Sequence, residues 1–318
     1  MTGAIVYGPV PSRRLGRSLG VNNIPPKICS YSCVYCQLGR TLRMEVEPGS
    51  FYKMPRIAEQ VGTKLKRAAD KGELVDYVTF VPDGEPTLDA ELGREIEVLK
   101  TLGVRVAVIT NGSLLWREDV RRNLRHADWV SLKVDAVSEG IWHKINRPHK
   151  SLDLEAIRQG MLRFTQSFDG ELATETMLVR GKNDDLDEIE RIAGFLALLR
   201  PTKVYVAIPT RPPVERVMPA SEQTVNAAYQ VFTERLGKVV EYLTAYEGNA
   251  FAGTGSVQED LLSITAVHPM REDAVAEFLE RAGTSWETIR GLVKNRNLME
   301  VAYQGKKFYM RKLPTQKQ

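Results

Sequence analysis

The chain has 318 residues, of which 43% are hydrophobic and 26% are charged, a composition typical of a globular protein with room for one large domain and a small one. No apolar run is long enough to span a bilayer and no signal peptide is evident at the amino terminus, so we expect a cytoplasmic protein. The formal charge of +4 permits an anionic partner without requiring one.

The first segment, residues 8–17, is rich in proline, glycine and arginine, which predicts a loop. A short strand is expected over residues 18–22, leading the chain into the cysteine-containing segment that follows. Arg13, Arg14 and Arg17 either contact an anionic substrate or pair with acidic residues at the surface.

The chain contains three cysteines, Cys29, Cys33 and Cys36, and their spacing is C-x3-C-x2-C. A loop of this length can direct three thiolates to three corners of one iron–sulfur cube and leave the fourth iron open to a small molecule. A disulfide network would leave one cysteine over, and a structural zinc site needs a fourth ligand, for which the histidines lie far away in sequence. Buried structural thiols do not cluster in this way. The spacing therefore favours an iron–sulfur cluster.

The chain then alternates amphipathic helices with buried strands. Helices are predicted over residues 55–72, 90–102, 116–124, 154–168 and 186–199. Strands are predicted over residues 77–81, 104–109, 129–135, 172–179 and 203–208. Together with the strand at residues 18–22, this order predicts a six-stranded parallel sheet with right-handed crossovers. Ligands bind at the carboxyl ends of such strands.

Polar residues typical of a binding site occur in the loops after two predicted strands and on one face of a third strand. The loop Asp-Gly-Glu-Pro-Thr at residues 83–87 follows one strand, and Thr-Asn-Gly at residues 110–112 follows the next, where it would otherwise be a helix-capping turn. On the strand at residues 129–135, Ser131, Lys133 and Asp135 share one face. A buried lysine and aspartate must be paired or functional, so this face holds either a site or a structural ion pair.

The cysteine spacing with Tyr35 directly before Cys36, and the Gly-Glu-Pro-Thr and Thr-Asn-Gly loops, resemble the radical S-adenosylmethionine (SAM) superfamily. The resemblance implies a partial (β/α)6 barrel and a [4Fe–4S] cluster on Cys29, Cys33 and Cys36, with the amino and carboxylate groups of SAM on the fourth iron. It implies reductive cleavage of SAM to a 5′-deoxyadenosyl radical that abstracts a hydrogen atom from the substrate. It also implies an electron donor such as flavodoxin or ferredoxin.

The resemblance assigns roles to residues in the strand-end loops. Tyr35 is expected at the adenine of SAM, or else to fill a gap beside the loop; Glu85 is expected at the amino group, and the strand at residues 129–135 at the ribose and carboxylate. The residues expected to bind cofactor are Tyr35, Gly84, Glu85, Pro86, Thr110, Asn111, Ser131, Lys133, Asp135 and Arg211. No catalytic residue is predicted. This sequence has Asp-Gly at residues 83–84 where many members have Gly-Gly.

The order Gly-Glu-Pro-Thr-Leu, Thr-Asn-Gly, Ser-Leu-Lys-Val-Asp-Ala and Ile-Asn-Arg-Pro is similar to the Fe–S oxidoreductase branch that includes the wyosine-base synthases, over roughly residues 1–215. Those synthases rebuild a guanosine in tRNA and hold a second cluster on further cysteines. This chain has no cysteines to spare. We therefore expect a relative with an unassigned substrate.

The remaining sequence predicts a helical extension and linker over residues 216–255 and a winged-helix-like domain over residues 256–318. Its predicted elements are helices at residues 271–281 and 286–295, with a capping box from Thr284 to Glu287, and a hairpin at residues 299–303 and 306–311. Residues 286–318 hold eight basic and two acidic residues, a net charge of +6. Such a surface suits tRNA or other RNA, with Tyr303, Phe308 and Tyr309 adding stacking if exposed. Winged helices also bind peptides or merely close a fold.

Two classes of function are therefore open. One is a radical SAM enzyme acting on RNA, a peptide, a protein or a small molecule. The other is a nucleic-acid-binding Fe–S redox sensor. A sensor needs no SAM site, so the cofactor loops distinguish the two.

Overall fold

The computed structural model describes residues 5–245, 248–251 and 256–312, and thirteen strands and ten helices are assigned within them. The strands, in chain order, are β1 (Val6–Ser12), β2 (Gly16–Val21), β3 (Ile28–Cys29), β4 (Arg43–Met44), β5 (Tyr77–Phe80), β6 (Arg105–Thr110), β7 (Trp129–Lys133), β8 (Glu171–Met177), β9 (Lys203–Ala207), β10 (Val240–Leu243), β11 (Met270–Arg271), β12 (Leu298–Tyr303) and β13 (Lys306–Arg311). The helices are α1 (Met54–Asp70), α2 (Leu92–Lys100), α3 (Glu118–Leu124), α4 (Glu139–Ile145), α5 (Leu154–Thr165), α6 (Leu186–Leu199), α7 (Glu222–Leu236), α8 (Val257–Val267), α9 (Glu272–Arg281) and α10 (Trp286–Lys294).

The main sheet of the described chain has eight strands in the order β1-β2-β5-β6-β7-β8-β9-β10 and curls into a half-barrel. The six predicted strands, β2 and β5 to β9, are all present and parallel in the predicted order. Helices intervene between β5 and β9 as predicted, and Asp153, Asp185 and Ser221 begin α5, α6 and α7 by accepting hydrogen bonds from backbone N–H groups. The α/β class and the partial barrel are confirmed.

The sheet has two strands that were not predicted. Residues 8–17 were expected to form a loop, which is wrong, because residues 8–12 belong to β1 and residues 16–17 to β2, with only residues 13–15 forming the turn between them. β1 pairs antiparallel with β2 and its register shifts between Tyr7 and Val10. Prolines are tolerated there because an edge strand has one side without ladder partners. The second addition is β10, which pairs parallel with β9 inside the region expected to be a helical extension and linker.

Both faces of the half-barrel are buried, as expected for parallel strands. Leu19, Val78 and Val108 are fully buried in the core that includes the helices. The inner face forms a separate cluster in which Trp129 and Tyr205 are among the large residues. This packing of the inner face leaves a cavity inside the half-barrel, which extends from the β1–β2 turn to the carboxyl ends of the strands.

The carboxy-terminal elements follow the predicted order of helix, helix and hairpin, with β11, β13 and β12 forming a three-stranded sheet. Ser285 rather than Thr284 caps α10, since its side chain accepts from the Glu287 backbone N–H at 3.3 Å. Phe308 and Tyr309 are 2% and 3% exposed, so the predicted stacking by these two rings is wrong.

The carboxy-terminal helices are not separate from the sheet. Tyr7 and Val10 of β1 lie in one hydrophobic cluster with residues of α8, α9 and α10. Lys64 of α1 forms an ion pair of 2.8 Å with buried Asp260 of α8, a helix that was not predicted. Residues 252–255 of the predicted glycine-rich linker lie outside the described residues. No helix in the described part of the chain combines the length and apolar character needed to cross a membrane.

Candidate active site

The cysteine loop follows β2 and is fixed by backbone contacts to two other loops. The N–H of Glu85, after β5, donates to the Ile28 carbonyl at 3.1 Å. The N–H of Val34 donates to the carbonyl of Ile145, at the end of α4, at 3.0 Å. Because these contacts hold the chain directly before Cys29 and between Cys33 and Cys36, the loop has a fixed position at the carboxyl ends of the parallel strands. Its three thiols are half-buried and form no disulfide.

Two side-chain amides donate to the cysteine sulfurs. Asn111 Nδ2 lies 3.6 Å from Cys29 Sγ, and Asn146 Nδ2 lies 3.4 Å from Cys33 Sγ. Hydrogen bonds to sulfur stabilise thiolate charge and tune the reduction potential of iron–sulfur clusters. The contact from Asn146 was not predicted, and the sequence marked it only as part of the Ile-Asn-Arg-Pro run.

The thiols need a cationic partner to ionise. Burial raises the pKa of Cys29 and Cys36, and burial together with the Asp135 carboxylate raises the pKa of Cys33 to about 12. Among the described residues, no three cysteine, histidine, aspartate or glutamate side chains converge as ligands of one metal ion would. In a cube, by contrast, each thiolate binds a different iron. Three thiols on one loop with amide donors at two of the sulfurs fit a [4Fe–4S] cluster.

Glu85 joins the two loops that follow β5 and β6. Its carboxylate is 1% exposed, and both oxygens accept hydrogen bonds from protein groups. Oε1 accepts from the Thr110 hydroxyl at 2.5 Å and the Thr87 hydroxyl at 2.6 Å, and Oε2 accepts from the Asn111 N–H at 2.8 Å. Burial raises its pKa, which these hydrogen bonds oppose. Glu85 therefore has a structural role, and its contact with SAM stays a prediction.

Gly84 and Pro86 hold the same loop against its neighbours. A Cβ atom at Gly84 would lie 2.0 Å from the Ile28 carbonyl oxygen, so a side chain cannot fit between the two backbones. The Pro86 carbonyl accepts from Asn23 Nδ2 at 3.1 Å. Of the ten predicted cofactor-binding residues, Gly84, Glu85, Pro86, Thr110 and Asn111 thus lie together next to the start of the cysteine loop.

The predicted polar face of β7 meets charged partners inside the half-barrel. Lys133 lies opposite Glu175 in the register of β7 and β8, and its Nζ is 2.8 Å from Glu175 Oε1 and 3.9 Å from Asp135 Oδ1. Burial alone would raise the pKa of Glu175, but Lys133 and Arg14 lower it to about 2. The Ser131 hydroxyl is fully buried and has no hydrogen-bond partner among the described residues.

Tyr35 is fixed by the same group of charges. Its hydroxyl donates to Asp135 Oδ2, and Lys133 Nζ lies 4.9 Å from the centroid of its ring. Asp135 also accepts from Asn146 Nδ2 at 2.8 Å and from the Met177 N–H at 2.9 Å. Asp135 is therefore fully engaged in positioning Tyr35 and Asn146 beside the cysteine loop.

A cavity of about 310 Å³ occupies the half-barrel beside the cysteine loop. Residues from several elements line it: Tyr35, Cys36, Lys133, Glu175, Arg211 and His268. Tyr35, Lys133 and Arg211 are the predicted cofactor-binding residues that line the cavity, whereas the other seven predicted residues do not. The volume is at the lower end of the range for small-molecule sites.

The carboxy-terminal segment contributes Val267 and His268 to the cavity wall, which the sequence did not predict. Arg211 Nη2 donates to His268 Nε2 at 2.6 Å, and Arg211 Nη1 donates to Gln37 Oε1 at 2.8 Å. Gln37 Nε2 in turn donates to the Val267 carbonyl at 3.3 Å. Burial and the Arg211 charge lower the pKa of His268 well below its usual value, so the ring is a neutral acceptor. The cysteine loop, the loop after β9 and the end of α8 therefore meet at the cavity.

Comparisons with known proteins show which family this chain belongs to. UPF0026 protein MJ1312 of Methanocaldococcus jannaschii is 44% identical over 311 residues, which are 97% of this chain and 96% of the relative. An S-adenosylmethionine-dependent nucleotide dehydratase of Flammeovirga pacifica is 25% identical over 202 residues, 60% of this chain and 65% of the relative.

Two solved structures share the fold. A radical SAM methyltransferase from Sphaerobacter thermophilus superposes with a TM-score of 0.56 at 16% identity and covers 72% of this chain and 67% of its own. TYW1 with a lysine–pyruvate adduct bound superposes with a TM-score of 0.52 at 17% identity and covers 69% of this chain and 73% of its own. The family model of the radical SAM superfamily matches residues 23–196. The chain therefore belongs to the radical SAM superfamily, whose members use a [4Fe–4S] cluster and S-adenosylmethionine.

Proposed function

We propose that this radical SAM enzyme holds one [4Fe–4S] cluster on Cys29, Cys33 and Cys36 and binds SAM in the adjoining cavity. When bound, the reduced cluster supplies one electron to SAM, which yields methionine and a 5′-deoxyadenosyl radical that abstracts a hydrogen atom from the substrate. The observation that carries the proposal is the cavity lined by Cys36 and Tyr35, since it leaves room for a ligand directly beside the cysteine loop. A one-electron donor such as flavodoxin or ferredoxin supplies the reductant.

The residues of the chain have separate tasks in this proposal. Asn111 and Asn146 stabilise the thiolates of Cys29 and Cys33 through their amide donors. Tyr35 and Lys133 present a ring and a cation to the bound SAM, as supported by their place in the cavity wall. Gly84, Glu85 and the loop after β6 hold the cysteine loop in position.

The proposal is tested by reductive cleavage of SAM. Anaerobically reconstituted protein treated with dithionite is expected to convert SAM to 5′-deoxyadenosine, measured by liquid chromatography. Cys36→Ala is expected to abolish the product, because it removes one of three cluster ligands. Leu42→Ala is the matched control, since Leu42 is 64% exposed close to the same loop. Intact SAM with the unmodified protein would overturn the proposal.

The same assay separates the enzyme from the redox sensor. A nucleic-acid-binding sensor would use the cluster as an electron store and would leave SAM intact. The cavity beside Cys36 favours the enzyme, because a sensor does not need a ligand volume there.

An RNA substrate is the alternative that the carboxy-terminal surface supports. We propose that residues 256–318, of which 313–318 lie outside the described residues, form a winged-helix-like module. Several of its basic residues are exposed: Arg290, Lys294, Arg296, Lys306, Lys307 and Lys312. Lys307 already pairs with Glu272 at 2.8 Å. Tyr303 is half-buried and donates to the Pro209 carbonyl at 3.1 Å. The exposed positive charge of this module therefore supports RNA binding, whereas stacking of its aromatic rings on bases does not.

Charge neutralisation tests RNA binding better than truncation, because Tyr7 and Val10 of the sheet pack against the carboxy-terminal helices. Changing Lys294, Arg296 and Lys306 to glutamine removes three exposed charges that have no ion pair among the described residues. If RNA binds there, the slope of log affinity against log salt should fall by roughly 0.7–0.9 per lost contact. The control changes three exposed basic residues elsewhere to glutamine: Arg67, Arg122 and Lys144. Equal slopes for both triple variants would reject this surface.

A further inference from the structure

The cavity carries more positive than negative charge. Arg13, Arg14, Lys133 and Arg211 line it, and Glu175 is the carboxylate among the described lining residues. Glu175 already forms ion pairs with both Arg14 and Lys133, and Asp135 behind the wall also pairs with Lys133, so Arg13 and Arg211 carry the excess positive charge. An excess of one charge in a partly desolvated space is unfavourable unless a ligand of opposite charge is present. The cavity therefore favours an anionic ligand.

Arg13 is the cation in this cavity that is best placed to bind such a ligand. It lies in the turn between β1 and β2, and its guanidinium makes no hydrogen bond or close ion pair with any described residue, although the charge of Glu175 acts on it. Arg14, its neighbour in the chain, pairs with Glu175 instead. The Arg13 side chain is exposed to solvent, and its partial desolvation together with the charge of Arg14 lowers its pKa to about 10, so the guanidinium stays protonated at neutral pH. The turn thus brings to the cavity a protonated guanidinium that has no direct hydrogen-bond partner among the described residues.

The cofactors do not supply the missing negative charge. A [4Fe–4S] cluster held by three thiolates is anionic, whereas SAM combines a sulfonium, an ammonium and a carboxylate and is net cationic. The negative charge of the cluster and the positive charge of SAM offset each other, so the excess positive charge of the cavity wall is not neutralised by the cofactors. The anion must then come from the substrate.

The position of Arg13 also limits the size of that substrate. Because β2 begins at Gly16 and runs parallel to β5, the turn that holds Arg13 lies at the amino-terminal edge of the parallel strands. The cysteine loop lies at their carboxyl ends. The charge of Arg13 nevertheless acts on Glu175 and on His268 in the cavity wall, so its side chain reaches into the half-barrel. A group bound by Arg13 therefore lies inside the half-barrel, where the phosphates of a folded RNA have no room.

We propose that the substrate of this enzyme is a small molecule bearing a carboxylate or phosphate group, and that Arg13 binds this group inside the cavity. The inference rests on the proposed function and deepens it. The guanidinium suits both groups, since its planar fork donates two parallel hydrogen bonds to an oxyanion. Arg211, which also lines the cavity, adds a second positive charge.

The experiment measures anion binding by the reconstituted protein. Inorganic phosphate and malonate are titrated by isothermal calorimetry, and the tighter probe identifies the oxyanion. Arg13→Gln is expected to weaken binding of that probe at least tenfold, because it removes a charge-assisted hydrogen-bond donor. Arg17→Gln is the matched control: it changes the same residue type in the same segment, and Arg17 Nη1 lies 2.6 Å from Glu73 Oε2 outside the cavity. We expect wild-type affinity for this control.

The outcomes separate this inference from the proposed function. SAM cleavage by the unmodified protein is measured in the same preparation, and its absence would reject the proposed function itself. Cleavage together with equal anion affinity of the wild type and Arg13→Gln, or with no binding up to about 10 mM, would reject the inference alone. If Arg13→Gln does not fold, Arg13→Lys replaces it and is expected to bind with reduced affinity, because it keeps the charge and loses the fork. Modification of a tRNA by the enzyme would also overturn the inference.

Discussion

Gly84→Ala should displace the cysteine loop. The added Cβ would lie 2.0 Å from the Ile28 oxygen and 2.8 Å from Ile24 Cδ1, whereas real Cβ atoms essentially never come closer than 3.0 Å to another heavy atom. The backbones of the two loops must therefore separate by about 1 Å or more. That movement strains the packing and weakens the hydrogen bond from the Glu85 N–H to the Ile28 carbonyl, which measures 3.1 Å. Together these effects should lower the free energy of unfolding by about 2–4 kcal/mol.

Two assays measure the effect. Thermal unfolding followed by circular dichroism should show a Tm lower by several degrees. Iron content after anaerobic reconstitution should also fall, because Cys29 follows Ile28 directly. The control is Gly62→Ala, at a position within α1 that has no heavy atom within 4 Å of the added Cβ and where alanine favours the helix. If Gly84→Ala retains both the wild-type Tm and the wild-type iron content, the close contact between the two loops does not position the cysteines.

Anaerobic reconstitution is expected to give about four irons and four sulfides per chain, as one cube on three thiolates requires, and eight irons in a colorimetric assay would contradict a single cluster. Glu85→Ala is expected to weaken SAM binding in equilibrium dialysis and to lower the free energy of unfolding by about 2–4 kcal/mol, because buried donors such as the Asn111 N–H lose their acceptor. Unchanged SAM affinity would remove Glu85 from the binding site. Burial raises the pKa of both Asp89 and Glu95. These two groups then hold more protons in the folded state than in the unfolded one, so their contribution to stability is fully present below about pH 4 and is lost as pH rises through the raised pKa values. Glu95→Gln should flatten this fall in Tm, and an unaltered pH profile would show that the pair does not titrate as described.

The sequence alone predicted those features of this protein that depend on neighbouring residues in the chain. Cysteine spacing and the alternation of helices and strands act over a few residues, so the cysteine loop and the strands β2 and β5 to β9 were predicted in order. The sequence predicted that Lys133 would be paired with a group of opposite charge or functional, because a buried charge needs a partner. Its partner Glu175 was not, since the register of β7 against β8 is a property of the assembled sheet.

Tertiary contacts alone decided the rest of the site. The prolines of β1 predicted a loop from sequence. The segment is nevertheless a strand, because its backbone pairs with β2 on one side, and an edge strand tolerates prolines on the side that has no strand partner. Asn146 reaches Cys33, and His268 reaches Arg211, across long separations in the chain. Such contacts leave no periodic pattern in sequence, because each depends on where the half-barrel brings two distant segments together. For the same physical reason the charge of the cavity, set by side chains from the β1–β2 turn, β7, β8 and the loop after β9, is a property of the folded chain.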